Sequence, residues 1–230
     1  MRSNSFLPLL LCAAPAAQDV LYYKFEENGG TNVVNFASAS GIAPIEGTLI
    51  GGLQQRFAPG RFGIAALSGG INTSAANTTL VDTGWIPSWS NASLSFAFFM
   101  KERAVPTSTS YFFYHGPSGF RLFTGGVANR GLLLRNSPED IPLTTDVQTL
   151  AATNWLHVGL VIDAAALTAT WYLDGVPQPP IPISGGSNVA ANTTTFRACG
   201  FSTNGGVYDI DEFRFALRAV SPTEMQSWFL

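Results

Sequence analysis

The sequence predicts an all-β, two-sheet antiparallel sandwich closed by a short C-terminal helix. The first observation is residues 154–176, NWLHVGLVIDAAALTATWYLDGV. Trp155 to Ile162 is rich in bulky and β-branched residues, Asp163 to Ala166 turns the chain, and Leu167 to Leu173 returns to an Asp174-Gly175 pair that tolerates positive φ. With a period of two, Leu156, Val158, Leu160 and Ile162 share one face, and Trp155, His157, Gly159 and Val161 the other. Both faces are largely apolar, so the hairpin belongs between covering layers. The second observation is punctuation: turn signals recur every ~8–12 residues, as in a sandwich. The third is composition. At 230 residues, hydrophobic residues make up 46% and charged residues only 12%, about half the usual charged share, so Gly, Ser, Thr and Asn must cover the surface.

Taken in order, residues 19–26 (DVLYYKFE) form a first strand, ended by Asn28-Gly29-Gly30. Residues 31–52 read as loop. Strands are expected over 78–85 and 92–101, the second (ASLSFAFFMK) alternating. Tyr111 to His115 is a strand of aromatics, which Gly116-Pro117-Ser118-Gly119 turns into Phe120 to Thr124. Gly125-Gly126 leads to a strand over 130–135. Residues 136–152 and 177–192, polar and proline-punctuated, read as loops around the hairpin. Strands over 193–201 and 207–215 follow. Ser221-Pro222-Thr223-Glu224 then starts a helix: Ser as N-cap, Pro at the first helical position, Glu three residues after the cap. That helix puts Met225 and Trp228 on one face.

Three segments carry a family resemblance. Trp155-Leu156-His157-Val158, continuing to Asp163 and returning through Tyr172-Leu173-Asp174-Gly175-Val176, resembles the signature hairpin of laminin-G-like jelly-roll domains, which belong to the concanavalin A-like lectin/glucanase superfamily. Gly60-Arg61-Phe62-Gly63-Ile64-Ala65 is similar to that family's G-(K/R)-F-G-x-A segment. Ile210-Asp211-Glu212-Phe213-Arg214-Phe215, continuing to Ser221-Pro222-Thr223-Glu224, is similar to its closing strand and helix. The resemblance implies a two-sheet antiparallel jelly-roll sandwich over residues 18–230. It also implies a structural calcium ion tying the loop after the first strand to the terminal strand. Asn35, where the family carries Asp, and Asp209 or Asp211 are the candidate ligands; six to eight oxygens would have to converge.

Charge excludes some partners. Net charge is −3 and only two lysines occur, Lys24 and Lys101, so neither nucleic acid nor an anionic membrane finds a basic patch. No stretch beyond the N-terminus is long and apolar enough to insert in a bilayer. Residues 1–17 read as a signal peptide, with Arg2, an apolar run from Phe6 to Leu11 and small residues through Ala17. A secreted or cell-surface location follows. With Cys12 removed, Cys199 has no intrachain partner and reads as a small buried hydrophobe. His115 and His157 lack zinc spacing, and His157 reads as a hydrogen-bonded structural residue. Asparagines 72, 77, 91 and 192 stand in N-x-S/T sequons.

Two chemistries remain. Glycosidases need two carboxylates flanking the sugar bond, and Asp209-Ile210-Asp211-Glu212 is superficially similar to such a set. Period two places Asp209 and Asp211 with Phe213 and Phe215, and Glu212 opposite with Ile210 and Arg214, which speaks against it. Binding on aromatic platforms is the other. Sugar C–H faces stack on exposed rings, and Trp85 and Trp89, flanking Pro87 in an apparent loop, are candidates, as are Tyr111 and Tyr114. The expected role is a secreted, non-catalytic binding module for an extracellular polysaccharide or protein. The alternatives are a structural or adhesion component of a cell surface and a polysaccharide-active hydrolase or lyase.

Overall fold

The computed structural model describes residues 19–27, 29–37, 42–50, 54–56, 60–63, 66–68, 80–103, 109–116, 118–124, 130–136, 139–200 and 208–230. The signal-peptide reading over 1–17 and the sequons at Asn72 and Asn77 fall outside these residues. The chain runs through β1 (Asp19–Tyr23), β2 (Asn32–Val34), β3 (Glu46–Ile50), β4 (Gln54–Arg56), β5 (Ala66–Ser68), β6 (Leu80–Asp82), β7 (Trp89–Ala92) and β8 (Leu94–Glu102). It continues through β9 (Ser110–His115), β10 (Phe120–Thr124), β11 (Leu132–Asn136), β12 (Glu139–Leu143), α1 (Val147–Ala151), β13 (Leu156–Asp163) and β14 (Thr168–Leu173). Then come β15 (Val176–Pro177), β16 (Ile181–Pro182), β17 (Ser187–Val189), β18 (Arg197–Ala198), β19 (Tyr208–Ala216) and α2 (Pro222–Phe229).

Two antiparallel sheets hold almost all of these strands. The first is ordered β15-β14-β13-β8-β19-β5-β4, with β1 added on β19 and β16 on β14; the second is ordered β12-β11-β10-β9-β18-β6-β3-β2. The hairpin forms as read, with Asp174 and Gly175 at positive φ. It sits at the centre because both its faces must be buried. Inward, Trp171, Phe96, Phe98, Phe213 and Phe215 of the first sheet meet Phe113, Phe120, Leu122 and Phe196 from the second. Rings cross the gap at 5.0 Å between Phe96 and Phe113 and between Phe98 and Phe112. Each such side chain contributes about 1.5–3 kcal/mol by burial. Outward, a second cluster of Ala97, Val161, Tyr172 and Ala216 is covered by Val220, Met225 and Trp228. Gly159 makes room there for Met225, whose Sδ would lie 2.6 Å from a Cβ at that position and would have to shift. The Ser221 hydroxyl caps α2 by accepting from the Glu224 amide at 3.2 Å.

Several segments read as loop are ordered. β2 and β3 lie within 31–52; β3 alternates, with Gly47 and Leu49 inward and Glu46, Thr48 and Ile50 outward. β12 and α1 lie within 136–152. Pro142 is tolerated because β12 is an edge strand, where a missing N–H breaks no central ladder. Asp146 caps α1 and pairs with Arg130 at 3.0 Å.

One irregularity changes which way the terminal strand points. The pairing of β19 with β8 shifts between Asp211 and Arg214, and Glu212 takes φ 52°. A bulge inserts one residue and reverses the alternation beyond it. Tyr208, Ile210, Phe213 and Phe215 therefore all face the core, while Asp209 and Asp211 do not share the face of Phe213 and Phe215 as simple alternation predicted. Glu212 accepts a hydrogen bond from the Tyr22 hydroxyl and lies 3.8 Å from Arg214, whose guanidinium stacks on the Tyr22 ring at 3.9 Å.

Candidate functional site

The two sheets differ on their outer faces. The first carries apolar residues there, under α2. The second alternates with inward apolar residues and outward polar and aromatic ones, and α2 does not cover it. Along β10, Phe120, Leu122 and Thr124 are buried while Arg121 and Phe123 are half-buried on the outer side. Along β9, Tyr111 and Tyr114 stand three apart, so strict alternation would put them on opposite faces. A bulge at Phe112, where Leu122 pairs with Phe113 but Phe123 with Tyr111, brings both tyrosines outward. Their rings lie 6.5 Å apart, and Tyr111 meets Phe123 at 5.5 Å.

Register places two rows across this face. One runs Asp140–Arg135–Arg121–Tyr114–Arg197–Asp82–Thr48–Asn32, each residue directly opposite the next. The other runs Pro142–Leu133–Phe123–Tyr111. Residues so paired have Cβ atoms roughly 5 Å apart, so the rows make a continuous strip. Arg121 and Arg135 both stack on Phe123, at 5.5 and 5.7 Å. Arg135 is also tied to Asp140, Nη2 to Oδ2 at 3.0 Å, which pushes its pKa up. At the Asp82 end the strip opens into a hollow of about 450 Å³ whose lining includes Glu46, Thr48, Ile50, Asp82 and Gly84.

Tyr111 and Tyr114 are thus brought together. Trp85 and Trp89 are not part of this surface. Trp85 is 5% exposed, and its ring stacks on Trp89 at 5.6 Å and packs on Phe196 and Phe215 at 5.5 and 5.8 Å. Trp89 is half-buried, meets Phe120 edge-on at 5.5 Å, and donates its indole N–H to Ser187 Oγ at 3.0 Å. The segment reads as a loop, yet its two indoles turn into the core between the sheets. Their apolar area is removed from water there, and the Trp89 N–H keeps a partner. As they stand, Trp85 is core and Trp89 packs, partly buried, against it.

The candidate calcium ligands have separate partners. Asn35 Oδ1 accepts from the Tyr22 and Ala37 amides at 2.8 and 3.1 Å, and its Nδ2 donates to the carbonyls of Val20 and Pro44. Asp209 lies 3.5 Å from Arg103 Nε. Asp211 is fully buried; Oδ2 accepts from the amides of Arg61 and Phe62 at 2.7 and 3.2 Å, and Oδ1 from that of Glu212 at 2.9 Å. Burial pushes its carboxyl up to about 7 against these amides. Calcium needs six to eight oxygens from convergent groups; here Asn35 and Asp211 hold backbone amides and Asp209 lies against Arg103. Among the described residues no three His, Cys, Asp or Glu side chains converge as a metal group. The Gly60-Arg61-Phe62-Gly63 segment and the terminal strand are joined instead by hydrogen bonds to Asp211. Gly63, at φ 66°, takes a conformation other residues rarely adopt.

Both histidines are buried. His115 bonds Ser118 Oγ at 2.8 Å and lies 3.2 Å from Asn192 Oδ1 and the Thr194 carbonyl. His157 departs from expectation: neither ring nitrogen has a hydrogen-bond partner among the described residues, and it lies between Phe99 at 4.9 Å and Phe229 at 5.7 Å. Burial lowers its pKa to about 4. Cys199 is a buried free thiol whose pKa burial pushes up. No helix among the described residues is long and apolar enough to cross a membrane.

No family model matches the sequence. No curated protein matches it. The fold is similar to solved structures. Domain 4 of AbnA, a GH43 extracellular arabinanase from Geobacillus stearothermophilus, in complex with arabinotriose, superposes with TM-score 0.65 at 18% identity, covering 93% of this chain and 99% of that one. The botulinum neurotoxin serotype D ligand-binding domain in complex with N-acetylneuraminic acid gives TM-score 0.63 at 14% identity, over 92% of this chain and 50% of that one. The binding domain of botulinum neurotoxin DC in complex with rat synaptotagmin II gives 0.60 at 14%, over 92% and 51%. This chain therefore spans about half the length of the toxin domains. Their common ground with it is the β-sandwich fold.

Proposed function

We propose that this chain is a secreted, non-catalytic, laminin-G-like module that binds an extracellular glycan on the outer face of its second sheet. The observation that carries this is the strip, not covered by α2, on which the half-buried Tyr111, Tyr114 and Phe123 lie beside Arg121 and Arg197. Rings supply stacking surfaces for sugar C–H faces and the guanidinium forks supply donors for hydroxyls. A strip made of strands is held more rigidly than one made of loops. The arabinotriose complex, matched over 99% of its chain, supports a sugar; of the toxin domains, matched over half their length, one holds N-acetylneuraminic acid and another rat synaptotagmin II.

The non-catalytic reading rests on the carboxylates. Asp211 is buried under three amides and Asp209 pairs with Arg103. Neither is placed to flank a glycosidic bond. A glycan array with the mature domain tests the binding role, followed by titration of Tyr111→Ala/Tyr114→Ala. Loss of two stacking rings should weaken binding roughly tenfold or more with the fold intact. Unchanged affinity in that variant would move the site away from this face.

A further inference from the structure

We propose that the bound glycan is anionic, its carboxylate or sulfate groups held by Arg121 and Arg197 on either side of Tyr114. This rests on the glycan-binding reading above and names the class of its ligand. The chain as a whole is acidic, at net charge −3, and most of its described arginines have a carboxylate. Arg103 has Asp209, Arg130 has Asp146, Arg135 has Asp140, Arg214 has Glu212, and Arg218 has Asp19 and Glu224. Among the described residues, Arg121 and Arg197 have no carboxylate within ion-pair distance. Arg61 has no carboxylate either and is stacked on Phe62 and Phe99, as Arg121 is on Phe123.

These two arginines are not scattered. Arg121 and Arg197 are the direct neighbours of Tyr114 on β10 and β18. Two strand spacings separate them, roughly 10 Å, with the phenol between. Asp82, the next residue in the row beyond Arg197, has its Oδ1 engaged by the Gly84 amide at 3.0 Å and forms no ion pair with Arg197. The guanidinium fork matches the planar oxygens of a carboxylate or a sulfate. On the glycan reading, a saccharide with acidic groups on nearby units meets the two guanidinium groups across Tyr114. A chain of net charge −3 with only two lysines is a poor match for a nucleic acid, whose binding rests on many phosphate contacts.

The test is calorimetric titration of the mature domain with matched pairs: a hexa-oligogalacturonate against its methyl ester, and a heparin-derived hexasaccharide against its desulfated, N-acetylated form. Poly-glutamate serves as a charged chain without sugar. At low salt the acidic member of at least one pair should bind about tenfold more tightly than its neutral counterpart, and added salt should shrink the gap. The pair that responds tells carboxylate from sulfate. Arg121→Gln/Arg197→Gln should abolish the preference, and Arg121→Lys/Arg197→Lys should recover part of it, with thermal melts confirming the fold of both. Equal binding of acidic and neutral members, or a preference that survives the Gln variant, overturns the anionic inference and leaves the glycan reading standing. Poly-glutamate binding as tightly as either oligosaccharide overturns it too, as a patch that reads charge alone. No binding to any saccharide, acidic or neutral, across these probes and a glycan array overturns both.

Discussion

His157→Phe separates a buried neutral imidazole from a functional one. His157 is 1% exposed, neither ring nitrogen has a hydrogen-bond partner among the described residues, and its ring lies between Phe99 and Phe229. Its folded pKa is lowered to about 4, by burial first and the charge of Arg214 second, whereas in the unfolded chain it titrates near 6.5. The unfolded state thus binds more protons between these values. The imidazole's favourable contribution is complete above about 6.5 and is lost as the pH falls toward 4. Integrating the linkage gives a loss of about 1.3 kcal/mol by pH 5.5 and about 3 kcal/mol by pH 4, relative to pH 7. Phenylalanine cannot titrate, and replacing the imidazole removes no hydrogen bond. Asp211, opposite Phe99 in the same sheet, has the opposite linkage. Its pKa is raised to about 7, so its contribution is present below about 4 and lost as pH rises through 7. It is common to both proteins and cancels in their difference. Urea unfolding at pH 7, 5.5 and 4 should therefore show the variant gaining about 3 kcal/mol on the wild type over that range. Parallel pH dependences would refute the reasoning and mean that His157 is solvated or bonded.

Three further outcomes are expected. Trp85→Ala should cost about 3–5 kcal/mol in urea unfolding, as a large-to-small change in the core; a cost below about 1 kcal/mol would return the ring to the surface. Chelator and millimolar calcium should leave the wild-type melting temperature unchanged, because amides occupy the oxygens of Asn35 and Asp211, while Asp211→Asn should cost about 1–3 kcal/mol by leaving a buried amide unsatisfied; calcium-dependent stabilisation in wild type alone would contradict this and restore the metal site. Reducing agent should not move the melting temperature of the mature chain, and the Cys199 thiol, buried and with a raised pKa, should react with a thiol reagent only in denaturant; rapid native-state labelling would count against its burial.

What the sequence revealed was what local chemistry decides. The hairpin, with its two apolar faces and Asp174-Gly175 end, and the Ser221 cap of α2 need only neighbours in the chain to be recognised. β2, β3 and β12 were hidden because they are short and carry Gly47, Asn32 or Pro142. They are strands through their ladder partners, which sequence periodicity does not register. The bulges at Phe112 and Glu212 were equally invisible, yet each reverses which face the following residues occupy. One aligned Tyr111 with Tyr114; the other separated Asp211 from Phe213. Trp85 and Trp89 looked exposed because Gly84, Pro87 and Ser88 surround them. Only their contacts with Phe120, Phe196 and Phe215 reveal that the segment folds inward. Arg121 and Arg197 lie far apart in the chain and gained meaning only when β10, β9 and β18 were seen side by side.

The difference between the two outer faces is itself the reason to seek a ligand on one and not the other. On the first sheet, Ala97, Val161, Tyr172 and Ala216 would leave apolar area in water, and Met225 and Trp228 of α2 remove it. That face is already occupied by the chain. On the second sheet the outward positions hold Arg121, Arg135, Arg197, Asp82, Asp140 and Thr48, with tyrosine and phenylalanine rings among them. Such a face is compatible with water, so folding does not require it to be covered by the chain's own elements. Polar and aromatic residues on a sheet face that α2 leaves open favour a ligand that is itself polar and hydrated, with apolar C–H patches to lie on rings. Saccharides have that character, and the two arginines without carboxylates favour saccharides carrying negative charge.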